Sequence, residues 1–97
     1  MRTRYLVAYD VRETRRLRKT HKTVKSYGYS LQYSVFVCDL TKSEKLQLQG
    51  RLRDVIKANA DSVVFIDLGP TGSRGVECFE FMGAHEDLPR DGEATIV

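Results

Sequence analysis

The strongest constraint on the fold of this 97-residue chain is a pair of short stretches that are apolar at nearly every position. One runs from Arg4 to Val11 and the other from Ser62 to Leu68. Aromatic and β-branched residues dominate both, which favours strands over helices. Because the side chains of a strand alternate between two faces, each stretch would place apolar groups on both sides of a sheet. Strands of this kind need a cover on both faces of their sheet.

The segment between these two strands begins with a helical pattern and then becomes extended. Apolar and small side chains at three- and four-residue steps predict an amphipathic helix over residues 12–27, and Gly28 ends it where glycine commonly terminates helices. Residues 30–40 are strand-like throughout. Their length suits a short strand, a tight reversal near residues 32–34 and a second strand.

The second half of the chain predicts one further helix before the strand at residues 62–68 and one further strand after it. Thr41-Lys42-Ser43-Glu44 has the spacing of a capping box, and the apolar pattern after it predicts a helix to about residue 58. The glycine-rich segment 69–75 lacks the GK[ST] of a phosphate-binding P-loop, so we interpret it as a simple connection. Residues 76–82 predict the last strand.

This order of elements predicts an α+β fold, the ferredoxin-like βαββαβ sandwich with an extra C-terminal strand. Right-handed crossovers place both helices on one face of the sheet, which leaves the other apolar face uncovered. A second copy of the chain is the simplest cover, so the sequence predicts a homodimer. The extra strand would fold back over that face or pair with the partner's sheet edge. Residues 1–82 form the single predicted domain, and residues 83–97 form an acidic tail.

Several classes of protein do not match the composition. No apolar run is long enough to span a bilayer, and the N-terminus does not resemble a signal peptide, so we expect a cytoplasmic protein with no membrane partner. Cys38 and Cys78 lack the close spacing of a zinc site and are expected to be buried as small apolar residues.

The net charge of +3 conceals a strong asymmetry along the chain. Residues 1–29 carry nine Lys and Arg against two acids, a balance of +7, whereas the remainder has a balance of −4. Such polarisation predicts one basic surface and a polyanionic partner, of which nucleic acid is the natural one. The alternative is that these cations only solvate a helix.

Asp10 is the predicted catalytic and metal-holding residue, because it ends an apolar strand immediately before the basic helix. Mg²⁺, or Mn²⁺ in its place, commonly takes one or two carboxylates and completes its shell with water and substrate phosphate. A two-fold axis would supply Asp10 from both subunits, and the metal would activate water against a phosphodiester. The alternative role is an N-cap for the first helix, with Glu13 completing a D-x-x-E pattern. The two roles are not exclusive.

The basic helix and its flanking tyrosines are the predicted nucleic-acid interface. Cations on such a helix would contact phosphates without selecting a base sequence. Aromatic rings beside a basic groove can stack on bases, although tyrosines near strand ends are more often core or interface residues. The residues predicted to bind nucleic acid are Arg12, Arg15, Arg16, Arg18, Lys19 and Tyr9.

Three segments together resemble the family of CRISPR-associated protein 2, the small partner of the CRISPR integrase in spacer acquisition. They are a strand ending in Tyr9-Asp10, a basic helix ending in Lys25-Ser26-Tyr27-Gly28, and the motif Leu31-Gln32-Tyr33-Ser34-Val35-Phe36. The resemblance covers roughly residues 4–82. It implies a ferredoxin-like homodimer in which Asp10 of each subunit holds magnesium near the two-fold axis.

The resemblance also implies two functions that the sequence does not separate. Some members of the family are metal-dependent nucleases on single-stranded RNA or double-stranded DNA, and others are DNA-binding bridges between integrase dimers that need no cleavage. Arg15, Arg16 and Arg18 match the family's basic helix. Members often carry an arginine just before the glutamine of the Q-x-S-V-F motif, whereas this region reads Tyr29-Ser30-Leu31 here. Phe36 matches the motif and is expected in the core.

One alternative lies outside this family. A ferredoxin-like regulatory module would bind a small ligand at its dimer interface and would have no nuclease activity. Such a module requires neither an arginine cluster nor an aspartate at the end of the first strand, so the sequence favours the CRISPR interpretation.

Overall fold

The computed structural model describes residues 1–72, 77–85 and 88. The elements are strand β1 (Thr3–Asp10), helix α1 (Thr14–Lys25), strands β2 (Tyr29–Gln32) and β3 (Val35–Leu40), helix α2 (Lys42–Val55) and strand β4 (Ser62–Pro70). They form one antiparallel sheet in the order β2-β3-β1-β4. This arrangement confirms the predicted α+β, ferredoxin-like βαββαβ fold.

Strand β1 occupies a central position in the sheet and sets the register of its neighbours. Val7 lies opposite Phe36 of β3 and Phe65 of β4. At the end of β1, Asp10 lies opposite Ser62, the first residue of β4. Asp10 is therefore the last sheet residue of β1, next to the connection that leads into α1.

The hydrophobic core lies between the sheet and the two helices. Tyr9, like Val7, points from β1 into this layer, and Leu48 and Leu52 meet it from α2. Phe36, Cys38 and Leu40 of β3 and Val24 of α1 complete its centre. Both helices therefore cover the same face of the sheet, as right-handed crossovers require.

The opposite face of the sheet is apolar and partly open. Val64 and Ile66 of β4 are 50% and 44% exposed, whereas their neighbours Val63 and Phe65 pack against the core. Leu6 and Ala8 of β1 are only partly buried. The prediction that β1 and β4 are apolar on both faces while the helices cover one is confirmed.

The start of α2 agrees with the prediction from the sequence, whereas the role predicted for Gly28 at the end of α1 does not. In α2 the capping box is present, because Thr41 Oγ1 accepts from Glu44 N–H and Glu44 Oε1 accepts from Thr41 N–H. Gly28, by contrast, has no left-handed backbone. A Cβ at this position would collide with the carbonyl oxygen of Val37 and with Cys38, so glycine is required here by close approach to β3.

The predicted strand over residues 76–82 is wrong for the residues that the structure describes there. Residues 77 and 78 form a helical turn, and residues 79–82 have no regular structure. The rings of Phe79 and Phe81 stack at 6.0 Å, and Phe81 stacks on His85 at 4.2 Å. Isolated extended backbone gains no ladder hydrogen bonds, so alternating apolar residues alone do not make a strand. Most of the predicted acidic tail, residues 86–87 and 89–97, lies outside the described residues.

Both cysteines are free, and only one matches its prediction. Cys38 is fully buried, and burial, followed by the neighbouring Asp39 carboxylate, raises the pKa of its thiol to about 12. Cys78 is exposed, contrary to expectation, because the segment that carries it does not join the sheet.

A buried ion pair joins β1 to β3. The Arg4 guanidinium donates through Nε and Nη2 to the two carboxylate oxygens of Asp39, at 2.7 and 2.8 Å, and both side chains are fully buried. The two residues are cross-strand partners in the sheet register. In the described part of the chain, neither helix has the length and apolar character needed to cross a bilayer.

Candidate functional site

Asp10 presents its carboxylate to solvent at the end of β1. Its side chain is 68% exposed, and Arg12 Nη2 lies 3.7 Å from Oδ2. A cavity of about 190 Å³ lies beside it, lined by Ala8, Tyr9, Asp10, Ser62 and Val64. Asp10 thus borders the open apolar face of the sheet, as a residue shared across a two-fold axis would have to.

The structure rejects the alternative that Asp10 caps the first helix. The N-cap of α1 is Glu13, whose carboxylate accepts from the backbone N–H of Arg15 at 2.8 Å and of Arg16 at 3.0 Å. These two bonds hold the pKa of Glu13 below its usual value. The helix therefore begins at Thr14, and the carboxylate of Asp10 is not used for capping.

Within the described residues, one chain alone does not bring together a full set of protein ligands for a metal. Among the described residues, no group of three or more His, Cys, Asp or Glu side chains is close enough to hold an ion. A single exposed carboxylate still fits a hydrated magnesium ion if its mate comes from a second subunit, because Mg²⁺ retains several waters and needs only one or two carboxylates. Manganese favours the same oxygen donors.

Helix α1 displays a stripe of cations on its solvent side. The residues recur at three- and four-residue steps, which places them on one face of the helix. This cationic stripe consists of Arg15, Arg18, Lys19, Lys22 and Lys25, all exposed. Arg12, which is also exposed, extends the positive surface toward Asp10.

Arg16 differs from the other predicted phosphate contacts. Its Nε and Nη2 donate to the carboxylate of Asp61 at 2.7 and 3.2 Å, and the side chain is three-quarters buried. The same helix turn that exposes Arg15 therefore turns Arg16 toward the α2–β4 connection. Arg16 has a structural contact that competes with any phosphate.

Asp61 is the site residue that the charge pattern did not reveal. Besides Arg16, it accepts from the backbone N–H of Arg12 at 3.0 Å and of Lys57 at 2.9 Å. The Arg16 guanidinium, followed by the Arg12 N–H, holds the pKa of the Asp61 carboxyl far below its usual range. The one signal in the sequence is that Asp61 stands directly before the predicted strand at residues 62–68. In the structure, Ser62 at the start of β4 pairs with Asp10.

Tyr9 lies in the core rather than in the nucleic-acid interface predicted for it. Its ring is stacked with Phe36 at 6.3 Å, and its hydroxyl lies 3.0 Å from His21 Nδ1 and donates to the carbonyl of Tyr33 at 3.2 Å. Burial, followed by the nearby Tyr33 phenol, raises the pKa of Tyr9 to about 12. Because side chains alternate along β1, exposing Asp10 on one face directs Tyr9 to the other.

The remaining tyrosines near the basic helix have different environments. Tyr27 is buried, and its hydroxyl donates to Gln47 and accepts from Arg51. Tyr33 is 63% exposed in the turn between β2 and β3, and its ring stacks on His21 at 5.2 Å. Tyr33 is thus an aromatic ring presented to solvent beside the cationic stripe.

Comparison with known proteins identifies the family. The model of the family "CRISPR associated protein Cas2" matches residues 1–74, which include all six elements and every predicted site residue. The chain belongs to the Cas2 family.

Individual Cas2 proteins match over nearly their whole length. A protein of Rhodospirillum rubrum named CRISPR-associated endoribonuclease Cas2 1 is 39% identical over 93 residues, which cover 96% of this chain and 89% of that protein. A Chlorobaculum tepidum protein named CRISPR-associated endoribonuclease Cas2 is 38% identical over 97 residues, covering 95% and 96%. The resemblance stated from the sequence is therefore confirmed.

Solved structures support the same assignment. Streptococcus pyogenes Cas2 superposes with a TM-score of 0.73 at 33% identity, covering 82% of this chain and 99% of that one. A hypothetical protein from Thermus thermophilus superposes with a TM-score of 0.78 at 26% identity, covering 92% and 100%. The described residues therefore have the fold of the solved Streptococcus pyogenes Cas2.

Proposed function

We propose that this Cas2 protein is a nucleic-acid-binding homodimer of CRISPR adaptation that bridges the CRISPR integrase in the cytoplasm and carries a magnesium-dependent endonuclease activity. The observation that carries the proposal is the exposed carboxylate of Asp10, which has no capping role and lies beside the basic surface of α1. The cations of α1 attract a phosphodiester backbone, and the carboxylate beside them can hold a metal ion next to it.

The open face of the sheet supports the homodimer. Leu6, Ala8, Val64 and Ile66 form an apolar surface that neither helix covers. Burial of apolar area is a main driving force of protein association, so covering this surface with a second copy is favourable. Because Asp10 borders the same surface, a two-fold axis there would bring two carboxylates toward each other.

Binding to DNA or RNA is supported by the cationic stripe of α1. Exposed arginines and lysines spaced along one helix face neutralise phosphates and release counterions, which gives affinity without sequence selectivity. Such a surface suits a protein that holds a variety of sequences for integration. It also suits a nuclease of broad specificity.

The catalytic part of the proposal assigns the metal to Asp10 of both subunits. When bound there, Mg²⁺ or Mn²⁺ would supply an activated water and charge neutralisation at the phosphodiester. Arg12, 3.7 Å from Asp10, is placed to hold an adjacent phosphate oxygen. The relatives named endoribonuclease support RNA as one substrate class, and we propose single-stranded RNA and double-stranded DNA as the substrates. Family membership favours this function over a regulatory module that binds a small ligand.

The test of the proposal is a cleavage assay on single-stranded RNA and on duplex DNA with and without added Mg²⁺. We expect cleavage by the wild-type protein to require the metal and to disappear in Asp10→Ala. Asp54→Ala is the matched control, because Asp54 is an exposed carboxylate of α2 that does not line the cavity beside Asp10. Cleavage that persists in Asp10→Ala, in preparations free of contaminating nuclease, contradicts the endonuclease assignment.

The adaptor role has a separate test. Asp10→Ala is expected to co-purify with a CRISPR integrase as the wild-type protein does, because the cationic stripe and the open sheet face are unchanged. Loss of the complex in this variant would contradict an adaptor function that is independent of cleavage.

A further inference from the structure

We propose that the exposed ring of Tyr33, together with His21 behind it, is a stacking site for one unpaired nucleobase. This inference deepens the proposed function, since it names the part of a nucleic acid that the surface beside α1 recognises. The ligand is a base of single-stranded RNA or DNA.

The two rings form a stacked pair with one face left to solvent. The ring centroids of His21 and Tyr33 are 5.2 Å apart and their planes differ by 19°. His21 also meets the ring of Phe36 edge-on at 5.3 Å. With His21 packed against one face and 63% of Tyr33 exposed, the other side of the Tyr33 ring is accessible. A base stacked there would extend an existing row of aromatic rings.

The turn that carries the Tyr33 ring is held to β1 by hydrogen bonds to its backbone. The Tyr9 hydroxyl donates to the carbonyl of Tyr33, and the backbone N–H of Tyr9 donates to the carbonyl of Ser34 at 3.1 Å. The same Tyr9 hydroxyl lies 3.0 Å from His21 Nδ1. One buried phenol therefore holds the His21 ring and the backbone of Tyr33, and the Tyr33 ring is stacked on that ring, so part of the ordering cost of binding a base is already met.

Phosphate contacts are available next to the ring. Arg18 and Lys25 lie three and four residues from His21 on α1, so they share its side of the helix. Both are exposed and belong to the cationic stripe. A nucleotide whose base covers Tyr33 can therefore place its phosphates against cations. This combination of basic track and exposed aromatic ring is the usual basis of single-strand binding.

The stacking site also lies at the sheet end that carries Asp10. Tyr33 is one residue before Ser34, whose carbonyl accepts from Tyr9 N–H, and Asp10 is one residue after Tyr9. Tyr33 lies toward α1 and Asp10 toward the open face. A nucleic-acid strand that crosses this end of the sheet would have one base stacked on Tyr33, and its backbone would continue toward the carboxylate of Asp10.

The inference is tested by binding in the absence of divalent metal, with EDTA present so that the probe stays intact. The probes are a single-stranded RNA and a single-stranded DNA that contain 2-aminopurine, and a blunt duplex of the same length. Stacking quenches 2-aminopurine fluorescence, so the base contact is observed directly. The variants are Tyr33→Ala and Tyr33→Phe, with Leu46→Ala as control because Leu46 is 61% exposed on α2.

We expect Tyr33→Ala to weaken binding of the single strands by about 5- to 150-fold, the range for loss of one base–aromatic stack. Quenching should be lost with it, and duplex binding should change little. Tyr33→Phe should retain both affinity and quenching, since the ring alone is required. If Tyr33→Ala binds single strands like the wild-type protein, or if Tyr33→Phe loses as much as Tyr33→Ala, the stacking site is wrong.

The outcomes separate this inference from the function on which it rests. If the wild-type protein binds none of the three probes, the proposed function fails. If binding is strong and depends on the cationic stripe but is unaffected by Tyr33→Ala, only the stacking site fails. Circular dichroism of each variant establishes that it folds, and the duplex serves as an internal check that the basic surface is intact.

Discussion

The guanidinium of Arg16 and the carboxylate of Asp61 form a two-point hydrogen-bonded ion pair that joins the first turn of α1 to the start of β4. Asp61 also accepts from the backbone of Arg12, in the connection that follows Asp10. Because Ser62, the next residue, pairs with Asp10, one carboxylate fixes the surroundings of the proposed metal-holding residue from two sides. Asp61 is therefore a positioning residue of the site.

Asp61→Asn is expected to lower the melting temperature and to reduce metal-dependent cleavage together. The amide cannot replace a carboxylate that accepts from Arg16, Arg12 and Lys57 at once. Thermal unfolding and the cleavage assay measure the two effects, and Asp54→Asn is the control. Normal stability with normal cleavage would show that Asp61 does not position the site.

The same variant should change how stability depends on pH. The pKa of Asp61 is lower in the folded state than the value of about 3.9 in an unfolded chain. The unfolded state therefore takes up a proton first as the pH falls, so the contribution of Asp61 is complete above the unfolded pKa and is lost at lower pH. Melting temperatures between pH 2 and pH 7 should fall less steeply toward acid in Asp61→Asn than in the wild type.

The buried pair of Arg4 and Asp39 predicts a strongly non-additive pair of substitutions. Arg4→Met alone leaves a buried carboxylate without its partner and should cost about 3–5 kcal/mol of the free energy of unfolding. Arg4→Met combined with Asp39→Leu removes both charges and should restore most of that loss. Urea unfolding of the wild type, both single variants and the double variant measures the coupling. Additive effects would contradict a direct interaction.

The sequence predicted the elements whose signals are local. The alternation of apolar residues in β1 and β4, and the reciprocal bonds of Thr41 and Glu44, depend on neighbours within a few positions. The same is true of the position of Asp10 at the end of β1. These features appear in the structure as the pattern indicates.

The failures concern contacts between distant parts of the chain. Arg16 belongs to the charge pattern of α1, but its partner Asp61 is 45 residues away and lies on another connection. The ion pair of Arg4 and Asp39 spans 35 residues. Residues 79–82 have the composition of a strand but are not part of the sheet in the described chain. Periodicity identifies such residues as polar or extended without specifying what they contact.

The arginines of α1 are expected to separate into two classes. Arg15→Ala and Arg18→Ala, made as single variants, should each weaken binding to all nucleic-acid sequences alike. Each should also reduce the slope of log affinity against log salt by about one unit per lost phosphate contact. Arg16→Ala should mainly lower thermal stability, because it breaks the pair with Asp61. Salt titrations of binding, combined with melting curves, distinguish these effects. Equal losses of binding in all three positions would contradict the division.

The last prediction concerns the roles of Asp10 and Glu13 at the start of α1. If Asp10 were the N-cap, Asn would preserve the cap and Ala would not, and the two variants would differ in stability. Because Glu13 accepts from both Arg15 and Arg16, the cap is independent of Asp10. We therefore expect Asp10→Asn and Asp10→Ala to unfold at the same temperature as the wild type, while both lose magnesium-dependent cleavage and retain binding to duplex DNA. Glu13→Ala should show the reverse pattern, with a lower melting temperature and retained cleavage. A lower melting temperature in Asp10→Ala than in Asp10→Asn would return the cap to Asp10 and weaken the case that its carboxylate serves the metal.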